Sequence, residues 1–352
     1  MRKKGGRGWP DQQSVSVKQI AETLGLSPST VSMVLNNRSG EFRIAESTSQ
    51  RVLLTAQELG YRSSETRVKR KKRGFGKTIV CTFCPHNFEK GPMSSFYEGF
   101  YRFMKEQSDH YETIIFPFEL GLLKQKMSFI SKDFMAGAVM MALTEEDLEF
   151  LENTKFDVPI VLYNRTAKGY CSVLTDDYSV GNSAMEHFIK RGHERFAIVS
   201  PNYSSRALSL RSTGYWDKLR SSGLESKGAV ALPVTYGDDS DAGGYAATKE
   251  LLQGDALPSA LFVPSDNMIS GVLRCLKEHN ISVPGELEMI SYGDKPVNSI
   301  VTPSITSFVP PSRDMSYNSA KLLHSFIESG TFTDTARLSF ESTCIFRESC
   351  PE

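Results

Sequence analysis

The apolar positions of the chain change character at residue 78. Before it they recur at helical spacing. Ile20, Ala21 and Leu24 form one set, Val31, Val34 and Leu35 a second, and Val52, Leu53, Ala56 and Leu59 a third. Each set marks one face of a helix. The signals around them agree. Ser16 with Gln19 three places on is a capping-box pattern, Gly25 ends the first helix, and Ser27 can cap a second with Pro28 in its first position. A third helix runs over roughly 46–59 and stops at Gly60. Two short helices joined by a tight Gly-containing turn, sealed by a third, predict a helix-turn-helix over 15–61.

From Thr78 the apolar residues come in short aliphatic runs: TIVCTF, YETIIFPF, AGAVMMA, VPIVLYN, RFAIVS, SALFVP and LEMISYG. Helical stretches such as MSSFYEGFYRFMKEQ, VGNSAMEHFIKRG, STGYWDKLRSSG and ISGVLRCLKEHN lie between them. This alternation predicts parallel sheets covered by helices. More than 270 residues are too many for one compact sheet layer, so two α/β lobes are expected. In such folds ligands sit at the carboxyl ends of the strands, here the cleft between lobes.

Charge sharpens the division. The chain is neutral overall, yet residues 1–76 hold 15 Lys and Arg against 6 Asp and Glu, and the remainder holds 26 against 35. A small basic head on a larger acidic body points to a polyanion partner for the head. On the second helix Ser29, Thr30, Ser32, Met33 and Asn36 point away from the apolar face. Small hydroxyls and an amide there suit a helix lying in a major groove. The opening MRKKGGRGWPDQQS (1–14) lacks the apolar stretch of a secretory signal and reads as a disordered basic tail, which places the chain in the cytoplasm. No apolar run approaches the length of a membrane span. Six irregularly spaced cysteines argue for reduced thiols, and Cys81 and Cys84 sit in a run that reads as a buried strand. Residues 62–77, RSSETRVKRKKRGFG and its neighbours, form a basic linker that can grip phosphates or a narrow minor groove.

VKQIAETLGLSPSTVSMVLNN followed by TSQRVLLTAQELGYR closely resembles the DNA-binding head of the lac repressor/galactose repressor family. The resemblance implies that Ser29 and Met33 face bases, while Ser16, Thr30, Ser32 and Asn36 fix the phosphate backbone, with Val17, Lys18 and Ser27 in the same contact set. The family usually carries Arg at the position of Met33, and Met cannot read guanine as Arg does. In the linker Ser63-Ser64 replaces the family's Pro-Asn pair, and Arg67, Val68 and Arg70 fall where a wedge into the minor groove is expected.

The resemblance runs on through VPIVLYNR, VLTDDYSVGNSAMEHFIKRGHERFAIVS, LRSTGYW, PSDNMISGVLRCL, ISYGD, TPSITSF and FRES. It implies a core of the periplasmic-binding-protein type, with parallel sheets flanked by helices. Crossings between lobes are placed near Thr175, Thr306 and Arg337, so that 78–175 with 306–336 make one lobe and 176–305 with 337–352 the other. Arg211 matches the family's effector-binding arginine, whose fork suits vicinal hydroxyls or a carboxylate. Asp266 and Asn164 sit at strand ends lining the cleft, although Asp266 could instead cap a helix. Asn164 stands where the family usually has Asp. Gly293 stands where many relatives present a sugar-binding Asp, which leaves Asp294 one place later. His86 and Met93 occupy a loop where an aromatic often stacks on the sugar.

Catalysis finds little support. There is no Walker loop, G-x-S-x-G elbow or H-E-x-x-H, and His86, His110, His187, His193, His279 and His324 show no metal spacing. His193, at a helix-to-strand turn, reads as structural, and GDDSD (237–241) as a capped, solvated loop. No catalytic residue, metal or cofactor is expected. The reading is a dimeric repressor that binds a near-palindromic operator, lies at the nucleoid through its DNA and answers to a sugar or related metabolite. The alternatives are a solute-binding protein of the same core fold, which the head and the missing signal oppose, and an enzyme of sugar metabolism.

Overall fold

A computed structural model describes residues 16–35, 44–59, 78–85, 93–107, 111–254, 256–332 and 335–352. The chain divides into two units, up to residue 76 and from residue 77. In the first, α1 (Val17–Leu24) opens on the capping box: Ser16 Oγ accepts the Gln19 N–H at 3.3 Å, and Gln19 Oε1 accepts the Ser16 N–H at 2.7 Å. Gly25, at φ 64°, turns the chain, and Ser27 Oγ accepts the Thr30 N–H at 3.1 Å to start α2 (Pro28–Leu35). With α3 (Glu46–Glu58) these helices bury Ile20, Ala21, Val31, Val34, Val52 and Ala56. Leu53 and Leu59 are exposed, contrary to the periodicity reading. Val52 and Ala56 already fill the inward stripe, Leu53 is one residue off it, and Leu59 follows the last helical residue.

The larger unit begins with β1 (Thr78–Pro85), α4 (Met93–Glu106), β2 (Tyr111–Phe118), β3 (Gly137–Met141), α5 (Glu145–Glu152), β4 (Ile160–Tyr163) and β5 (Cys171–Thr175). It continues with α6 (Asp177–Lys190), β6 (Arg195–Pro201), α7 (Arg206–Ser222), β7 (Val230–Ala231), β8 (Thr235–Gly237), α8 (Asp241–Leu252), β9 (Ala260–Val263), α9 (Ile269–Glu278), β10 (Glu288–Tyr292), α10 (Pro296–Ile300) and β11 (Thr306–Val309). It closes with α11 (Ser312–Ser329), β12 (Arg337–Phe340) and β13 (Thr343–Ile345). One sheet has the order β12-β5-β4-β3-β1-β2, all parallel. The other runs β13-β11-β10-β9-β6-β7 with β8 beside β6, parallel except for β13.

Two expected crossings shift. Thr306–Val309 pairs with β10 and so belongs to the second lobe, while Arg337–Phe340 pairs with β5 and belongs to the first. The chain completes each ladder before leaving its sheet, so the crossings fall after Val309 and after Phe340. Strands β5, β7, β8 and β11–β13 escaped the reading by apolar runs because they are short or rich in polar residues.

Each sheet is covered on both faces. Alternation sends Cys81 and Phe83 to one side of β1 and Val80 and Cys84 to the other, under α4 and α11. The C-x-x-C therefore cannot act as a pair, and burial pushes the Cys81 thiol up to about 12. All six cysteines are free. Among the described residues no helix is long and apolar enough to cross a membrane, and no group of three or more His, Cys, Asp or Glu could hold a metal. In the second lobe α6 crosses α7 so closely that a Cβ on Gly181 would lie 1.8 Å from the Arg211 carbonyl oxygen, and one on Gly214 2.1 Å from that of Tyr178.

Below α6, buried Glu288 of β10 takes both forks of Arg191 at 2.5 Å, His193 Nε2 at 2.9 Å and the Cys350 thiol at 3.2 Å. His193 is thus structural, as read. Burial alone would raise the Glu288 carboxyl, but these hydrogen bonds together outweigh it and bring it down to about 2. A carboxyl lowered on folding contributes stability that is present above its unfolded value and is lost as pH falls through the folded one. Glu288→Gln should therefore lower the melting temperature at neutral pH and flatten the loss of stability on acidification from pH 4.5 to about 2. Thermal unfolding of both proteins across pH reads this directly; parallel curves would remove Glu288 as the source.

Candidate functional site

On the head, Ser29 is exposed and Thr30, Ser32 and Met33 are partly so, while Val31 and Val34 are buried. The polar side of α2 therefore faces away from the three-helix core. The Ser27 hydroxyl lies 3.0 Å from that of Ser29 and 2.8 Å from that of Thr30, a small hydroxyl network at the helix start. Lys18 is exposed, within 4.0 Å of Glu22, and Val17 packs partly into the core. Asn36, Arg67, Val68 and Arg70 lie outside the described residues.

In the larger unit, the candidate residues gather at the carboxyl ends of the strands. Asn164 follows β4 with φ 54°, a conformation Asn tolerates. Its side-chain oxygen accepts from the Thr175 N–H and hydroxyl, both at 3.4 Å, which ties two strand ends together. Met93 is the first residue of α4 and packs against the apolar cluster beneath it, so its side chain serves the core. His86 lies outside the described residues.

Arg211, on α7, is 6 % exposed. Its Nε donates to Asp177 Oδ1 at 2.9 Å, a second nitrogen reaches the same oxygen at 2.8 Å, and the third donates to the Pro264 carbonyl at 2.8 Å. The guanidinium lies 3.3 Å from the Tyr292 ring centroid. Asp177 Oδ2 is buried and has no hydrogen-bond partner. Arg211 is therefore not a surface charge, and it retains two N–H groups beyond those already bonded.

Asp266 is not a helix cap. The cap position of α9 belongs to Met268, and the Asp266 carboxylate instead accepts the Lys295 N–H at 2.8 Å with the Lys295 ammonium 3.9 Å away. Burial raises its pKa, and Lys295 pulls the other way. Gly293 has φ 126°, and a Cβ there would stand 2.5 Å from that carboxylate. Asp294 departs from its expected role. Its two oxygens are held by Arg347 at 2.6 and 3.0 Å, and Arg347 also reaches the Ile305 carbonyl. Asp294 therefore anchors the C-terminal segment, because the left-handed turn at φ 62° aims it at Arg347.

Two residues were missed. In GDDSD, Ser240 does cap α8, accepting the Gly243 N–H at 3.2 Å. Asp239, however, receives the Ser265 hydroxyl at 2.6 Å and the Asn267 amide at 2.9 Å, beside the strand ends. Its signal was the short strand β8, invisible to an apolar-run search. The other is Arg165 after β4. Its Nε donates to the Leu143 carbonyl at 2.8 Å and another nitrogen to that of Asn164 at 2.9 Å. It comes from the first lobe, yet its charge interacts with Tyr203, Asp177 and Arg211 of the second. The strand ends of the two sheets thus face one another across a cleft.

Residues 185–350 match the Periplasmic binding protein-like domain family. The chain is 26 % identical over 343 residues to Catabolite control protein A of Priestia megaterium, covering 96 % of this chain and 99 % of that protein. It is 27 % identical over 321 residues to the HTH-type transcriptional regulator GalR of Escherichia coli, covering 87 % and 88 %. Its fold matches the lac repressor dimer bound to operator and the anti-inducer ONPF with a TM-score of 0.66 at 18 % identity, over 97 % of this chain and 100 % of that one. With the helix-turn-helix head and the paired parallel sheets, these likenesses make the chain similar, over nearly its whole length, to transcription regulators of the lac repressor/galactose repressor type.

Proposed function

We propose that this chain is a dimeric transcriptional repressor that reads a near-palindromic operator through α2 and is controlled by a small molecule held between its lobes. One observation carries the reading. A head whose second helix keeps its polar side free of the core shares a chain with two lobes whose strand ends face each other around a buried arginine. An operator and an anti-inducer accompany the lac repressor in its dimeric complex, and the same two kinds of partner suit these two surfaces. A solute-binding protein would have no use for the head. The regulator acts in the cytoplasm, at its DNA.

Each lobe carries an apolar surface that a second copy would cover. On the first, Ile115 of edge strand β2 is exposed together with Leu120, Leu122, Met127 and Phe129. On the second, Ile300 is 78 % exposed beside a groove of about 670 Å³ lined by Leu273, Ile281, Val283 and Val301. Exposed apolar side chains on a strand edge or beside a groove suit an association surface. Ile300→Asp should convert the dimer to monomer in sedimentation and weaken operator binding, since one head meets only one half-site. A variant that remains dimeric at the wild-type concentration would place the interface elsewhere.

Met33 offers a thioether where relatives carry Arg, so apolar contact with a thymine methyl is what it can make. The operator should accept A·T at the position that relatives read as G·C. Met33→Arg should shift preference toward guanine by about 1–3 kcal/mol. Selection from randomised half-sites at fixed salt tests this, and identical preferred sites for both proteins would show that Met33 does not face the bases.

For the cleft, Arg211→Ala strands the Asp177 carboxylate and should cost about 3–5 kcal/mol of stability. Adding Asp177→Asn should recover part of that loss without restoring the response to effector. Full stability in Arg211→Ala, measured by denaturant unfolding, would contradict the buried ion pair.

A further inference from the structure

The carboxylates at the cleft are each met by donors: Asp177 by Arg211, Asp266 by Lys295, and Asp239 by Ser265 and Asn267. Asp239 is also approached by the Tyr203 hydroxyl at 3.5 Å. Arg165 is the exception. Among the described residues no carboxylate lies within ion-pair distance of it, and its two hydrogen bonds go to neutral carbonyls. Those bonds use two of five N–H groups and fix the plane of the guanidinium, leaving three donors in a fork. Burial lowers its pKa, while the carboxylates of Glu145 and Asp177 oppose this from beyond ion-pair distance and Arg211 adds a smaller repulsion from the opposite lobe. Neither carboxylate bonds to Arg165, so an anion entering the cleft would be the first charged partner within bonding distance of those three donors.

We propose that the effector is an anionic sugar derivative whose carboxylate or phosphate is clamped between Arg165 of the first lobe and the free N–H groups of Arg211 on the second. The proposal rests on the effector reading of the cleft and narrows it to one chemical class. A neutral sugar would meet the three Arg165 donors without a full charge-assisted bond. An anion would accept from both guanidiniums at once, so binding and lobe closure are one event. The rest of the ligand has an acceptor to meet in Asp239, whose two oxygens keep lone pairs beyond the bonds already made. Those lone pairs suit hydroxyl donors, which a sugar acid or sugar phosphate carries and a simple anion does not.

The test is titration calorimetry on the full-length chain at constant ionic strength, with three arms. D-glucuronate, D-galacturonate and D-gluconate form the first, D-glucose 6-phosphate and D-ribose 5-phosphate the second, and D-glucose, D-galactose and D-ribose the third. At least one acid should bind about tenfold or more tightly than its neutral parent, with the first two arms deciding between carboxylate and phosphate. Arg165→Met should remove that advantage and Arg165→Lys should restore part of it, since charge returns without the fork. Equal or tighter binding of a neutral sugar would overturn the anion clamp while leaving the cleft as the effector site. An acid that keeps its advantage in Arg165→Met would overturn the role of Arg165. No binding in any arm would overturn both the clamp and the effector reading for these sugars.

Discussion

The arrangement at the cleft depends on how closely α6 and α7 approach. Gly181 and Gly214 let each backbone meet the carbonyl of the other helix, and one of those carbonyls belongs to Arg211 itself. Helix α6 starts at Asp177, immediately after the first crossing between lobes. The crossing therefore brings together the residue that enters the second lobe and the buried arginine at its strand ends. A larger side chain at either glycine would separate the helices, and overpacking of that kind typically costs about 1–3 kcal/mol. The ion pair between Asp177 and Arg211, the contact of the guanidinium with Tyr292 and the bond to the Pro264 carbonyl all presuppose this spacing.

Glu288 plays a comparable part at the other end of α6. It gathers the residue after that helix, the turn leading into β6 and a residue near the C-terminus into one buried network. Together with Arg347 on Asp294, this fixes the C-terminal segment along the second sheet. The last described residues are thus framework for the lobe, held to the second sheet by ionic contacts.

Much of this was legible in the sequence where local chemistry decides the outcome. The Ser16–Gln19 capping box, the Gly25 turn and the Val31–Val34 face of α2 follow from spacing alone, and the long apolar runs correspond to strands. What escaped were elements defined by partners far away in sequence. Strand β12 is exposed and polar and exists because β5 lies beside it, and β8 is a three-residue strand on β6. The same limit applied to side chains. Nothing in VPIVLYNR indicated that Arg165 would come near Tyr203 and Arg211 of the opposite lobe. Asp294 looked like a ligand residue until Arg347 was found holding it.

Gly293 has a consequence for which side chains its neighbourhood can hold. Its missing side chain makes room for the Asp266 carboxylate, which in turn grips Lys295. An aspartate at 293 would place its Cβ 2.5 Å from that carboxylate and set two negative groups against each other. A side chain at 293 therefore becomes tolerable only once Asp266 has moved or been replaced. The two positions are coupled: a substitution at one has a different effect before and after a substitution at the other, so the order in which they change matters.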